Sequence, residues 1–271
     1  MSNSYGLHET NECIKSLQRM LNELFDLDLK PDGNIGKITQ EAIKNYQNSL
    51  GISEKDGQGV CYGEKTQAAA AVFIEAKYLD YADFVAAGKE LGVETASVIA
   101  FAKTEAKEFG FLNNGYPVIL FERHKFYQAL VKKSGKAFAN SIAASNPDIC
   151  DDNSGGYQGG EREIKRIERA AAINEEAALA SASWGMFQVM GFNYKMVGWA
   201  SVSEFVKAMK ESEKNHLKAF VNFIKADPEL LPALKKKDWA EVARNYNGEA
   251  YHINKYDVKM AANYKLAKAQ E

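Results

Sequence analysis

Apolar positions recur at helical spacing through most of the chain. Between Thr95 and Glu105, the residues Val98, Ile99, Phe101 and Ala102 define one face, and Thr95 is placed to cap that helix at its start. Phe205, Met209, Leu217, Phe220 and Ile224 keep an inward spacing within Ser203–Lys225, and helical patterns also fit Arg162–Leu179 and Tyr256–Ala267. Trp239, Val242 and Ala243 mark one more helix, which runs to a stop at Gly248. Two stretches break the pattern. Gly110–Leu120 alternates turn residues with apolar ones, and Asn113-Asn114-Gly115 predicts a hairpin turn beside the helix that carries Glu105. Asp148–Gly160 is polar and glycine-rich, which predicts a mobile loop at the rim of a cleft. The sum is a mainly α protein with a short β-hairpin.

The N-terminal part carries an internal repeat. Leu17-Gln18-x-x-Leu21 returns as Tyr46-Gln47-x-x-Leu50, and Asp32-Gly33-x-x-Gly36-x-x-Thr39-x-x-Ala42 returns as Asp56-Gly57 followed by Gly63-x-x-Thr66-x-x-Ala69. Asp-Gly marks a turn, and each threonine falls near the start of an expected helix. One copy is too short to bury a core alone, so the two halves must pack on each other.

Three later segments carry candidate chemistry. Glu105 follows Phe101 by four residues and Val98 by seven, which puts a carboxylate on the apolar face of its helix. Burial raises a carboxyl pKa, and a raised pKa is what a general acid needs near neutral pH. An ion pair with Lys103 or Lys107 is the competing explanation. Glu108 falls where the helix should be ending and reads as solvated. The run from Ser181 to Tyr194 holds aromatics, methionines and amides around Gly185 and Gly191, with no charge. Trp184, Phe187 and Tyr194 offer flat faces and Gln188 and Asn193 offer paired donors and acceptors, a mixture suited to the apolar faces and hydroxyl edges of a sugar. A buried helical corner would explain the same run. Finally, Tyr246 and Asn247 sit at the C-terminal edge of their helix, where a phenol and an amide can reach a ligand.

A glutamate closing an apolar helix, then a Ser-x-Gly-x-x-Gln turn, then Tyr-Asn-Gly is an order that resembles the lysozyme-like superfamily. From about Tyr81 to the C-terminus the chain is similar to the N-acetylmuramidase domains of modular phage endolysins, on the stretches from Gly115 to Phe126, Ser183 to Gly191 and Tyr246 to Gly248. Residues 8–74 resemble the three-helix peptidoglycan-binding module found beside wall hydrolases. The resemblance implies a small binding domain, 8–74, followed by a helical catalytic domain, 81–271. It implies hydrolysis of the β-1,4 bond between N-acetylmuramic acid and N-acetylglucosamine, with Glu105 as general acid and Trp184, Phe187, Gln188, Tyr246 and Asn247 lining the cleft.

Such chemistry ordinarily uses a second carboxylate at roughly 5 to 9.5 Å. Glu122 is the leading candidate, if the hairpin folds it back, and a salt bridge to Arg123 or Lys125 is the alternative. Without one, the substrate's own C6 hydroxyl could attack, as in lytic transglycosylases. A wall-binding protein without catalysis is a third reading. His124 after Glu122-Arg123 reads as a structural residue.

Composition trims the list of functions. The net charge of −2 gives no general attraction to nucleic acid, although Lys235-Lys236-Lys237 and the lysines from Lys255 to Lys268 could meet anionic lipid or wall polymer. His8, His124, His216 and His252 are scattered without metal-ligand spacing, so neither metal nor cofactor is expected. Cys13, Cys61 and Cys150 imply no disulfide framework, and the aspartates around Cys150 oppose a thiolate nucleophile. No apolar run is long enough to span a membrane, and the first residues lack the pattern of a signal peptide. The expectation is a monomer without stable membrane insertion, held in the host bacterial cytoplasm and then acting on periplasmic peptidoglycan, with a holin providing release as the resemblance implies.

Overall fold

A computed structural model describes residues 10–52, 64–106 and 109–271. His8, Cys61, Lys107, Glu108 and the Asp56-Gly57 and Gly63 of the second repeat lie outside them. The chain is mainly α-helical with a small three-stranded antiparallel sheet. It divides into two units, residues 1–84 with 113–116 and residues 85–112 with 117–271. Among the described residues no helix is long and apolar enough to cross a membrane.

In the first unit, α1 (Thr10–Phe25), α2 (Lys37–Ser49) and α3 (Glu64–Lys77) enclose a core of Leu17, Met20, Leu21, Leu29, Ala42, Ile43, Tyr46 and Ala70. The repeat is visible as duplicated chemistry. Gln18 Nε2 donates to Thr39 Oγ1 at 3.3 Å, and Gln47 Nε2 donates to Thr66 Oγ1 at 3.0 Å, each threonine in the first turn of its helix. Both glutamines are buried, so each amide must find such partners inside the unit. Lys77 closes the unit, its ammonium bonded to both Glu23 oxygens at 2.5 and 2.6 Å.

After α4 (Tyr81–Leu91), the second unit is built on α5 (Thr95–Glu105), in which every residue from Ala96 to Ala102 is buried. A helix apolar all round belongs in the centre of a domain, and α13 (Tyr256–Lys268) packs along it. Thr95 is not the cap. Glu94 holds that position with extended backbone and its carboxylate turned to Lys237 and Tyr264, while the Ala96 N–H donates to the Glu271 carboxylate at 3.0 Å.

The strands β1 (Ile119–Phe121), β2 (Ala182–Trp184) and β3 (Val189–Met190) are antiparallel, in register Ile119↔Trp184 and Trp184↔Val189. The expected hairpin is reduced to one bridge, Phe111↔Pro117, and its tip, Asn113–Tyr116, groups with the first unit instead of lying beside α5. β1 finds its partner in β2, because the apolar run after Ser181 offers a buried strand where the 111–117 arm is too short. The loop 148–160 is also tied down. Arg123 donates to the carbonyls of Pro147, Asn153 and Ser154, and Arg166 donates to that of Asp148.

The remaining helices are α6 (Arg123–Ser134), α7 (Lys136–Ser145), α8 (Glu161–Ala180), α9 (Val202–Glu211), α10 (Glu213–Ala226), α11 (Leu230–Lys236) and α12 (Trp239–Asn247). Ser212 separates α9 from α10, because its hydroxyl accepts from the Asn215 N–H and so caps a new helix. Gly191 follows β3 where a side chain cannot fit, since a Cβ there would meet Leu179 O at 2.1 Å. The obstacle is backbone, so Gly191→Ala is expected to cost about 1–3 kcal/mol in a urea unfolding series.

Candidate active site

Glu105 is the last residue of α5 and is half-buried. Burial pushes its carboxyl up to about 7, against the Asn247 amide and the Lys259 ammonium, which favour the charged form. Asn247 Nδ2 donates to Glu105 Oε1 at 2.8 Å. Thr104 beside it accepts from Asn263 Nδ2 at 3.0 Å, which fastens the end of α5 to α13.

What brings Asn247 to the carboxyl is the residue before it. The Tyr246 ring packs edge-on against Phe101, Phe220 and Phe223, with centroids 5.0, 5.9 and 5.6 Å away. Its hydroxyl donates to the Phe187 carbonyl at 3.1 Å, and burial raises its pKa so that this proton stays in place. The end of α12 is thereby anchored to α5, and Gly248, with φ of 78°, ends the helix there. Tyr246 is a fixing residue in this arrangement, and Asn247 is the one whose polar group meets Glu105.

The Trp184–Val189 segment differs from its expected role. Trp184 is 1% exposed and Phe187 2%, so neither offers a face to a sugar. Trp184 Nε1 donates to the Leu179 carbonyl at 3.1 Å, and Phe187 stacks on Phe220 with centroids 4.3 Å apart. Gln188 is partly exposed in the left-handed region, with φ of 51°, which is uncommon for a residue with a side chain. Its Nε2 donates to the carbonyls of Gly185 (2.8 Å) and Val118 (3.2 Å), while its Oε1 accepts from Ser183 Oγ at 3.0 Å. The side chain is a clamp that joins the β2–β3 turn to the segment leading into β1. The exposed aromatic of the run is Phe192, which is half accessible.

His216 is the residue that sequence reasoning passed over. It is 1% exposed, its Nδ1 accepts from the Met186 N–H at 3.1 Å, and its Nε2 lies 2.7 Å from the Met209 carbonyl, which fixes a neutral ring with Nε2 protonated. The ring fills the space over Gly185 and Gly110, where a Cβ would come within 2.7 and 2.4 Å of it. Gly110 in turn donates its N–H to the buried Glu213 at 2.8 Å. A lone histidine with no nearby motif gives no sequence signal for such long-range contacts.

Glu122 caps α6 and belongs to another cluster. Tyr157 Oη lies 2.8 and 3.1 Å from its two carboxylate oxygens, and His124 Nδ1 lies 3.2 Å from one of them. Neither Arg123 nor Lys125 is its partner among the described residues; Arg123 faces Asp151 and the loop carbonyls. Glu122 leaves a strand paired to β2 and not the arm of a 110–120 hairpin, with its N–H on the Ser181 carbonyl at 2.9 Å. Cys150 is buried beside Asp151, and both effects push its thiol up to about 11, away from nucleophilic use.

The site is thus a protonatable carboxyl at the end of a central helix, addressed by an amide from a second helix that Tyr246 ties to the β2–β3 turn. The chain belongs to the N-acetylmuramidase family, whose sequence model matches residues 94–268. A peptidoglycan-binding domain model matches residues 10–58. Among solved structures, a Burkholderia AP3 phage endolysin is similar over 94% of this chain and 95% of its own, with 36% identity and a TM-score of 0.69. No curated protein sequence matches the chain. The protein is a muramidase-type glycoside hydrolase acting on peptidoglycan.

Proposed function

We propose that the protein is an endolysin that cleaves the β-1,4 bond between N-acetylmuramic acid and N-acetylglucosamine, with Glu105 as general acid. The observation that carries this reading is the Glu105 carboxyl, raised to about 7 and held by Asn247 at 2.8 Å. Half-protonated near neutral pH, it can give its proton to the glycosidic oxygen as the sugar develops oxocarbenium character. Glu122 remains the candidate for the second carboxylate, and its hydrogen bonds from Tyr157 would orient it. Phage-directed release from the host cytoplasm, with a holin opening the way to the wall, belongs to the same proposal and is supported by the likeness to an endolysin.

Mass spectrometry of the soluble products from purified peptidoglycan tests the reaction. Reducing-end muropeptides support hydrolysis at this bond, whereas 1,6-anhydro ends would replace it with transglycosylation, and no product would return the protein to wall binding alone. Asn247 provides a further check. Its amide stabilises the ionised Glu105, so Asn247→Ala is expected to raise that pKa. The alkaline limb of the pH–rate profile then moves upward, which loss of packing alone would not produce.

A further inference from the structure

The basic run Lys235-Lys236-Lys237 has no part in the muramidase site. It closes α11 beside the start of α5, at the end of that helix opposite Glu105. There Val93, Glu94, Ser97, Leu234, Lys235 and Lys237 line a cavity of about 430 Å³, a volume in the range that holds small ligands. Ser97 precedes Glu105 by eight residues, about 12 Å along the helix axis. Its hydroxyl is the informative group. Ser97 is 1% exposed, and its Oγ has no hydrogen-bond partner among the described residues. Such a group is costly to leave inside a protein. A helical hydroxyl can be satisfied on the carbonyl four residues back, as Thr104 is on Ala100 at 2.8 Å in the same helix. Ser97 makes no such bond and lines the cavity instead.

The charges around the cavity leave a positive excess. Glu94 is matched by Lys237, by Lys268 at 3.2 Å and by the Tyr264 hydroxyl at 2.7 Å. Glu271 accepts from Lys268 at 2.7 Å and from the Ala96 N–H at 3.0 Å, so the start of α5 already attracts one carboxylate. Lys235 makes no hydrogen bond or ion pair among the described residues, and its ammonium lies 3.7 Å from where a Cβ of Gly92 would stand. Lysines are expected in the last turn of any helix, where they meet its negative end, but that does not explain Ser97. Nor does it explain Lys237, which ends α11 in the left-handed region with φ of 58°, a place that glycine ordinarily fills. Two carboxylates are balanced by two lysines, and the Lys235 ammonium remains beside the positive end of α5.

We infer that this cavity binds a phosphate monoester, whose phosphate accepts from Ser97 Oγ and from the Lys235 ammonium and whose organic part lies beside Val93 and Leu234. At neutral pH such a group carries about −1.5 to −2 charges and presents three acceptor oxygens. One oxygen can take the serine hydroxyl, and the others can face Lys235 and a remaining donor of Lys237. A carboxylate has a single charge and two oxygens, and leaves more of this set unmatched.

The test uses the full chain in phosphate-free buffer at constant ionic strength. Glycerol 3-phosphate is the soluble probe, and phosphatidic acid in phosphatidylcholine vesicles presents the same group from a lipid. Calorimetric titration should give saturable binding of at least one of them, with an affinity at least tenfold weaker in Ser97→Ala and in Lys235→Glu. Without ligand, the thermal midpoint of Ser97→Ala should equal or exceed that of wild type, because the variant removes a buried hydroxyl that has no partner. Binding of glycerol 3-phosphate would assign the site to a soluble ester, and vesicle binding alone, lost in both variants, would assign it to a lipid headgroup. The inference is overturned if neither probe binds, or if Ser97→Ala binds as wild type does, which would leave only general surface charge. It is also overturned if the ligand-free midpoint of Ser97→Ala falls below wild type, which would mean that the hydroxyl serves the fold.

Discussion

Replacing Glu105 by glutamine is expected to lower the rate of muropeptide release from purified peptidoglycan by about 10²–10⁴-fold, the ordinary contribution of a positioned general acid. Glutamine keeps the volume and can still meet the Asn247 side chain, so the loss reports the missing proton. The same substitution should make the fold more stable at alkaline pH. Burial raises the Glu105 carboxyl from 4.5 to about 7. A carboxyl raised by folding favours the native state while protonated, and that benefit is fully present below pH 4.5 and lost as pH rises through about 7. Glutamine is neutral throughout. The thermal midpoint of Glu105→Gln should therefore match wild type at pH 4 and exceed it at pH 8. A variant that lost activity together with stability at pH 8 would point to a structural glutamate.

These opposed effects also explain which parts of the site were legible in the sequence. Glu105 was readable because helical periodicity is local: Val98 and Phe101 fix the face, and the face fixes the burial of the carboxyl. Asn247 was readable for the same reason, as the polar residue that follows a helix bound for a glycine stop. The run from Ser181 to Tyr194 was readable as unusual, but its outcome depended on distant partners. Phe220 covers Phe187, and His216 covers Gly185, from positions about 30 residues away. Apolar rings beside amides look alike whether they line a cleft or close a β-turn, and only the packing of α10 decides between them. The partner of β1 was not readable, because strand pairing is a choice between non-local partners that alternation alone does not rank. Ser212 did carry a local signal, a serine three residues before the Asn215 whose N–H it caps. The continuous apolar spacing around it masked the break.

The second large effect is expected at Arg166, far from any motif. Arg166 and Glu163 are both fully buried and joined at 2.8 Å. Glu163 also accepts from the backbone N–H groups of Phe121, Gln158 and Gly159, and Arg166 donates to the carbonyls of Phe121 and Asp148. One pair thus ties the end of β1, the loop 148–160 and the start of α8. Arg166→Met removes the cation and strands a buried carboxylate, at an expected cost of about 3–5 kcal/mol in urea unfolding. Adding Glu163→Gln should restore part of this. The neutral amide oxygen can still accept the Gln158 and Gly159 N–H groups, and no charge remains to be desolvated. The two substitutions should therefore be non-additive by about 0.5–3 kcal/mol. Acid provides an independent check. Burial alone would raise the Glu163 carboxyl, but its backbone hydrogen bonds outweigh it and the pKa is lowered. The stability it contributes is complete above its unfolded value near 4.5 and declines as pH falls through the lower folded value. The double variant, with no charge at either position, should lose less stability than wild type across that acid range. Equal acid sensitivity in the two proteins would mean that the pair is incidental to the fold.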